Sequence, residues 1–259
     1  MNQLTELKTI KVWDFPVRVF HWVAVICFVG AYVTAEEEGY RLVHVTFGYT
    51  LGALMMFRIF WGLYGTTYAR FSSFIKPPSV VFSYLKSLLS KHPEHHVGHN
   101  PAGALAILLL LVFGLITPIT GWFCLREIGG EWVSEFHELL ANSMLALVLV
   151  HVFGVVVSSF IHRENLVKAM VTGCKSATDD HEQIKNTYQY LGILLIAVVL
   201  AFWTFQFLNS DLGGIDGATG PTGTTGTTGT TGTTGTTGTT GTPTGTTGTT
   251  GTPTGTTGT

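Results

Sequence analysis

The chain has 259 residues, of which 46% are hydrophobic and only 12% charged, with a formal net charge of -2. So little charge is foreign to a water-soluble domain and points to lipid, and a near-neutral balance with no basic cluster excludes nucleic-acid binding. Cys27, Cys124 and Cys174 lie far apart, so no CxxC or CxxCH pairing supports a disulfide framework, an iron–sulfur cluster or a covalently attached c-type haem.

Five apolar stretches approach or reach the roughly 20 residues that cross a bilayer. They run from about Pro16 to Ala35, Leu42 to Tyr64, Ala102 to Leu125, Phe136 to Ile161 and Tyr188 to Leu208. Pro16 suits a first helical turn, where its missing N–H costs nothing, and Asn100-Pro101 opens the third stretch in the same way. A signal-peptidase reading of Val33-Thr34-Ala35 fits poorly with Asp14, His21 and the Trp13/Trp22 pair in the preceding segment. Lys8, Lys11 and Arg18 precede or enter the first helix. Arg70, Lys76, Lys86 and Lys91 fall between helices two and three, and Arg163, Lys168, Lys175 and Lys185 between four and five. The two other connections hold Arg41 and Arg126 beside Glu36, Glu37, Glu38, Glu127, Glu131 and Glu135. The positive-inside rule then sets the N-terminus in the cytoplasm and the end of helix five outside.

Between helices two and three, Val80, Val81, Tyr84, Leu85, Leu88 and Leu89 share one helical face, the pattern of a short helix on the cytoplasmic membrane surface. From Gly217 the chain consists of Gly-x-y triplets, nearly all Gly-Thr-Thr, interrupted at Gly241-Thr242-Pro243-Thr244 and Gly251-Thr252-Pro253-Thr254. Glycine in every third place is a collagen period, but the proline that pre-forms collagen strands is almost absent. The expectation is a flexible external tail, with a trimerising segment as the alternative.

Four of the ten histidines lie in or at the ends of helices one, two and four: His21, His44, His137 and His151. Ionisable side chains in membrane segments are costly and mark function. His137 and His151 are separated by fourteen residues, about 21 Å along a helix and about 40° around it, so they share a face at two depths. With alternating helix directions, His21 meets the depth of His151 on the inner side, and His44 that of His137 on the outer side. Two facing pairs of neutral imidazoles can supply both axial ligands of two haems, whereas zinc takes four ligands at one point. Gly48 and Gly154, about one turn beyond His44 and His151, leave room for a flat macrocycle. Arg18 and Arg41 each precede a histidine by three residues, where a guanidinium can meet a haem propionate or reach the headgroups. His92, His95, His96 and His99 crowd the inner loop without Cys or paired carboxylates to make a metal site, and His162 and His181 read as surface residues.

These features, in order, resemble the bacterial cytochrome b561 family, which includes the cytochrome b subunits of nickel–iron hydrogenases. The resemblance runs from about Lys11 to Lys175. It rests on Val12-Trp13-Asp14-Phe15-Pro16-Val17-Arg18-Val19-Phe20-His21-Trp22, Arg41-Leu42-Val43-His44 and Arg58-Ile59-Phe60-Trp61-Gly62. It continues through Gly98-His99-Asn100-Pro101-Ala102-Gly103, Thr120-Gly121-Trp122 and the His137–His151 spacing to His162-Arg163-Glu164-Asn165-Leu166-Val167-Lys168-Ala169-Met170. It implies an all-α fold: a transmembrane four-helix bundle holding two haems b at the four histidines, here with a fifth transmembrane helix and a low-complexity Gly-Thr tail. The corresponding divisions are a cytoplasmic segment 1–11, a di-haem domain 12–175, a linker and fifth helix 176–212, and the tail 213–259.

The resemblance also implies electron exchange with quinone near the inner haem, where Arg58, His99, Asn100 and His151 come into question. The chain is then expected in the bacterial inner membrane, in contact with lipid and in reach of a homo-oligomeric state. It would link quinone to a periplasmic cytochrome c or a hydrogenase-like enzyme. Two rivals stand beside this reading: a stand-alone superoxide:quinone oxidoreductase, and a membrane anchor whose haems are structural.

Overall fold

The computed structural model describes residues 8–87, 101–177 and 183–209. The expectations for Leu88, Leu89, the His92–His96 group, His99, Asn100, His181 and the Gly-Thr tail lie outside the described residues. In chain order the elements are β1 (Lys8–Lys11), α1 (Phe15–Val33), a 3-10 turn (Glu38–Tyr40), α2 (Arg41–Tyr64), α3 (Phe71–Phe74), α4 (Pro78–Ser87) and α5 (Pro101–Leu125). They continue with α6 (Glu131–His162), α7 (Leu166–Thr172), β2 (Cys174–Ala177) and α8 (Gln189–Asn209). Five helices, α1, α2 with its leading 3-10 turn, α5, α6 and α8, are long and apolar enough to cross a membrane. Their outer faces carry exposed apolar side chains such as Val112, Leu149, Phe153, Phe160 and Val198, which suits contact with lipid tails rather than water.

Local chemistry sets the ends. Asp14 caps α1, its carboxylate accepting the Val17 N–H at 2.8 Å, and Pro16 follows in the first turn. At the other end of α1 the Thr34 hydroxyl donates to Gly30 O at 2.7 Å. The fourth apolar helix begins at Glu131, five residues before the expected Phe136. Its polar first turn carries no hydropathy signal, yet acidic side chains there complement the positive end of the helix dipole. At 32 residues it spans about 48 Å, well beyond the roughly 30 Å of hydrocarbon.

In the packing, α1 lies along α2 and α8, α2 also along α5, and α5 along α6, but α6 does not pack closely along α1 or α2. The central core gathers Cys27, Leu51, Leu54, Met55, Leu111 and Met144. The fifth helix attaches to the outside of α1 and α2. Phe15 packs on Gly192, and the Trp203 indole donates to Thr50 Oγ1 at 2.9 Å while its ring meets Phe47 edge-on.

One end of the bundle is closed by a two-stranded antiparallel ribbon that pairs Lys8 with Ala177 and Lys11 with Cys174. Gly173 (φ 82°) turns the chain from α7 into this ribbon, and its carbonyl accepts from the N–H groups of Val12 and Trp13 at 2.9 and 3.1 Å. A side chain there would be strained and would press on the Trp13 carbonyl. Lys175 pairs with Glu164 at 3.0 Å beneath the ribbon. The short connections 34–40 and 126–130 mark the other, loop end.

Candidate functional site

At the loop end, the first turn of α2 carries His44 and the second turn of α6 carries His137. Their rings face across the interval between the two helices, centroids 6.2 Å apart and planes at 80°. Both rings are tethered through Nδ1. That of His44 lies 2.8 Å from Ala31 O at the end of α1, and that of His137 lies 3.0 Å from both Thr117 O and Thr120 Oγ1 on α5. A carbonyl oxygen can only accept, so each Nδ1 carries the proton and each Nε2 keeps a free lone pair. This is the tautomer in which a histidine ligates a metal through Nε2 with its other nitrogen held by an outer partner. Gly121 makes room for it: a methyl group built on its Cα would stand 2.9 Å from His137 Cε1.

At the ribbon end, His21 on α1 and His151 on α6 are both half-buried and lie within Coulomb range of each other. Neither is tethered as the loop-end rings are, and His21 Nδ1 is buried without a hydrogen-bond partner. The structure therefore brings His44 to His137, and sets His21 and His151 at the opposite, ribbon end of the same bundle. Among the described residues, no three His, Cys, Asp or Glu side chains converge on one point.

The residues fit a haem between imidazoles. His44 and His137, 6.2 Å apart between ring centroids and each with its Nε2 lone pair free, would be the residues that hold one haem at the loop end. Methyl groups at Gly48 or Gly154 would meet nothing within 4 Å, so there is open space on α2 beyond His44 and on α6 beyond His151.

The arginines differ from one another. Arg18 donates from Nη1 to Val171 O at 2.5 Å and lies over the Phe15 ring, with Nε buried and unpartnered. Arg41 is exposed at the start of α2. Arg58 is only 3% exposed, sits over Phe71 at 5.2 Å and has Nη1 without a partner. The charge that acts on it is Asp14, which sequence reasoning took as an unsuitable signal-peptide residue and as part of the family motif but not as a cap. Fully buried, Asp14 also accepts from Trp61 Nε1 at 3.0 Å and Thr66 Oγ1 at 2.6 Å, joining the start of α1 to the end of α2. Its signal was its place before Phe15-Pro16, where a cap is expected. The Thr117–Thr120–Gly121 seat was also missed, although Thr120-Gly121 stood among the motifs.

The family described as prokaryotic cytochrome b561 matches residues 12–173 of this chain. A probable Ni/Fe-hydrogenase B-type cytochrome subunit of Azotobacter chroococcum is 26% identical over 226 aligned residues, covering 69% of this chain and 93% of the relative. The Rhodobacter capsulatus protein of the same description is 24% identical, covering 70% and 86%. The probable Ni/Fe-hydrogenase 1 B-type cytochrome subunit of Escherichia coli K12 is 24% identical, covering 64% and 90%. No solved structure shows a significant match.

Proposed function

Because the chain belongs to the prokaryotic cytochrome b561 family, we propose that it holds two haems b at different depths and conducts electrons between quinone on one side and a redox enzyme on the other. Family membership makes it a multi-pass haem-b electron-transfer protein of the bacterial inner membrane. The proposal adds the sites, the cofactor number, the orientation and the reaction partners.

The observation that carries it is the His44–His137 pair, 6.2 Å apart with both Nδ1 atoms tethered. His44 and His137 would hold one haem, and His21 and His151 the other. When bound, haem supplies one-electron chemistry through its iron. The chain's own residues fix the imidazoles, shield the interval from water and balance charge. Arg58, with its unpartnered buried amino group, and Arg18 stand at the ribbon end and Arg41 at the loop end, where guanidinium groups hold propionate or quinone oxygens.

The ribbon end, flanked by Lys8, Lys11, Lys168 and Lys175, faces the cytoplasm, and the acidic loop end faces outward. Quinone approaches at the ribbon end near Arg58 and His151; His99 and Asn100, which the family resemblance adds, lie outside the described residues. The names of the relatives favour a hydrogenase-like partner for the loop end.

Stopped-flow mixing with a short-chain benzoquinol tests this. The expected result is reduction of the component lost in His151→Ala, followed by the one lost in His44→Ala. Absence of quinol-dependent reduction in protein with full haem content would refute the quinone link. Reduction of the His44 component alone would move the quinone site to the loop end.

A further inference from the structure

The two histidine pairs are electrostatically unequal, and α5, which contributes no histidine to either, is the cause at one of them. On α5 the Thr120 hydroxyl donates back to Thr117 O at 2.8 Å, and the pair presents two oxygens to His137 Nδ1, each at 3.0 Å. Gly121, on the same turn, lets the ring lie against the helix. Ala31 O does the equivalent work for His44 at 2.8 Å. At the ribbon end, His21 Nδ1 is buried and meets no acceptor.

From this asymmetry we propose that the Thr117–Thr120–Gly121 seat and the Ala31 carbonyl make the loop-end haem the lower-potential of the two. The inference rests on the two-haem reading above. An Nδ1–H that donates to a carbonyl pushes electron density onto Nε2, and a more basic ligand favours the oxidised iron. An imidazole without that acceptor is the weaker donor.

The surrounding charges act in the same direction. The ribbon end carries the buried Arg58 and the largely covered Arg18 against the buried carboxylate of Asp14, itself held by Val17 N, Trp61 and Thr66, and the cation in excess favours the reduced form. The loop end is rimmed by exposed Glu36, Glu37, Glu38, Glu127, Glu131 and Glu135 against exposed Arg41 and Arg126. Exposed charges are screened and act weakly, whereas the buried guanidinium is screened much less. Electrons therefore settle preferentially on the ribbon-end haem, the one that quinol reduces first.

Thr120 is thus a positioning residue that acts through His137. Redox titration of the purified holoprotein, with components assigned by His44→Ala and His151→Ala, tests the claim. The His44 component should titrate lower, Thr120→Val should raise that component alone, and Thr120→Ser should leave it in place. If Thr120→Val fails to retain the loop-end haem, a normal potential in Thr120→Ser supports the hydroxyl's role and a shifted one opposes it. A His44 component at the higher potential, or a Thr120→Val shift that is absent or common to both components, would overturn the inference. Should His44→Ala and His137→Ala remove different components, the pairing itself would fail, a separate result.

Discussion

At the loop end the polar groups hold the histidines, whereas at the ribbon end they hold the helices. His44 and His137 each give their Nδ1 proton to oxygens of a neighbouring helix. Around His21 and His151 the strong hydrogen bonds are elsewhere: Asp14 ties α1 to Trp61 and Thr66, and Gly173 and Lys175 bind the ribbon beneath the bundle. One end therefore fixes its imidazoles and the other joins the helices and leaves its imidazoles untethered. On the inference above, two sites related by helix geometry would differ electronically through these second partners together with the charges around them.

The largest break in this contrast should come from Gly121→Ala. The added methyl group would meet His137 Cε1 at 2.9 Å, and a ring forced off its seat loses both its tether and its aim. The loop-end component should disappear from the reduced-minus-oxidised spectrum, while the ribbon-end component persists; simultaneous loss of both would deny that the seat is local.

Asp14→Ala probes the opposite end. It removes a helix cap and two further hydrogen bonds, and leaves Arg58 without its opposing charge. A loss on the order of 3 kcal/mol follows, read as a lower unfolding midpoint in detergent, with the ribbon-end component failing first. Trp203→Phe should have the smallest effect. It deletes the bond to Thr50 between the two levels, costing about 1 kcal/mol and shifting neither component. A spectral change there would mean that α8 takes part in the redox core.

The membrane helices were legible because apolar runs of bilayer length have few alternative uses, and the histidine depths followed from their spacing on such helices. The α1 cap left a signal, Asp14 ahead of Phe15-Pro16, from which the sequence reading took only Pro16. The acceptors for His44 and His137 were not, since two of them are backbone carbonyls, which every residue possesses. Thr120 in an apolar helix reads as bonding back to its own turn, which it also does. The ribbon pairs two four-residue strands more than 160 positions apart, and segments as short as Lys8–Lys11 carry too few residues for a period to register. The early start of α6 was hidden because its first turn is polar.

The central claim is that histidines pair by depth, His44 with His137 and His21 with His151, one haem to each pair. Haem content of purified double variants tests it most directly. His44→Ala/His137→Ala should retain one of two haems, as should His21→Ala/His151→Ala, whereas His21→Ala/His44→Ala should retain none. A His44→Ala/His137→Ala protein that folds and inserts normally but carries no haem, beside a His21→Ala/His44→Ala protein that keeps one, would contradict the pairing.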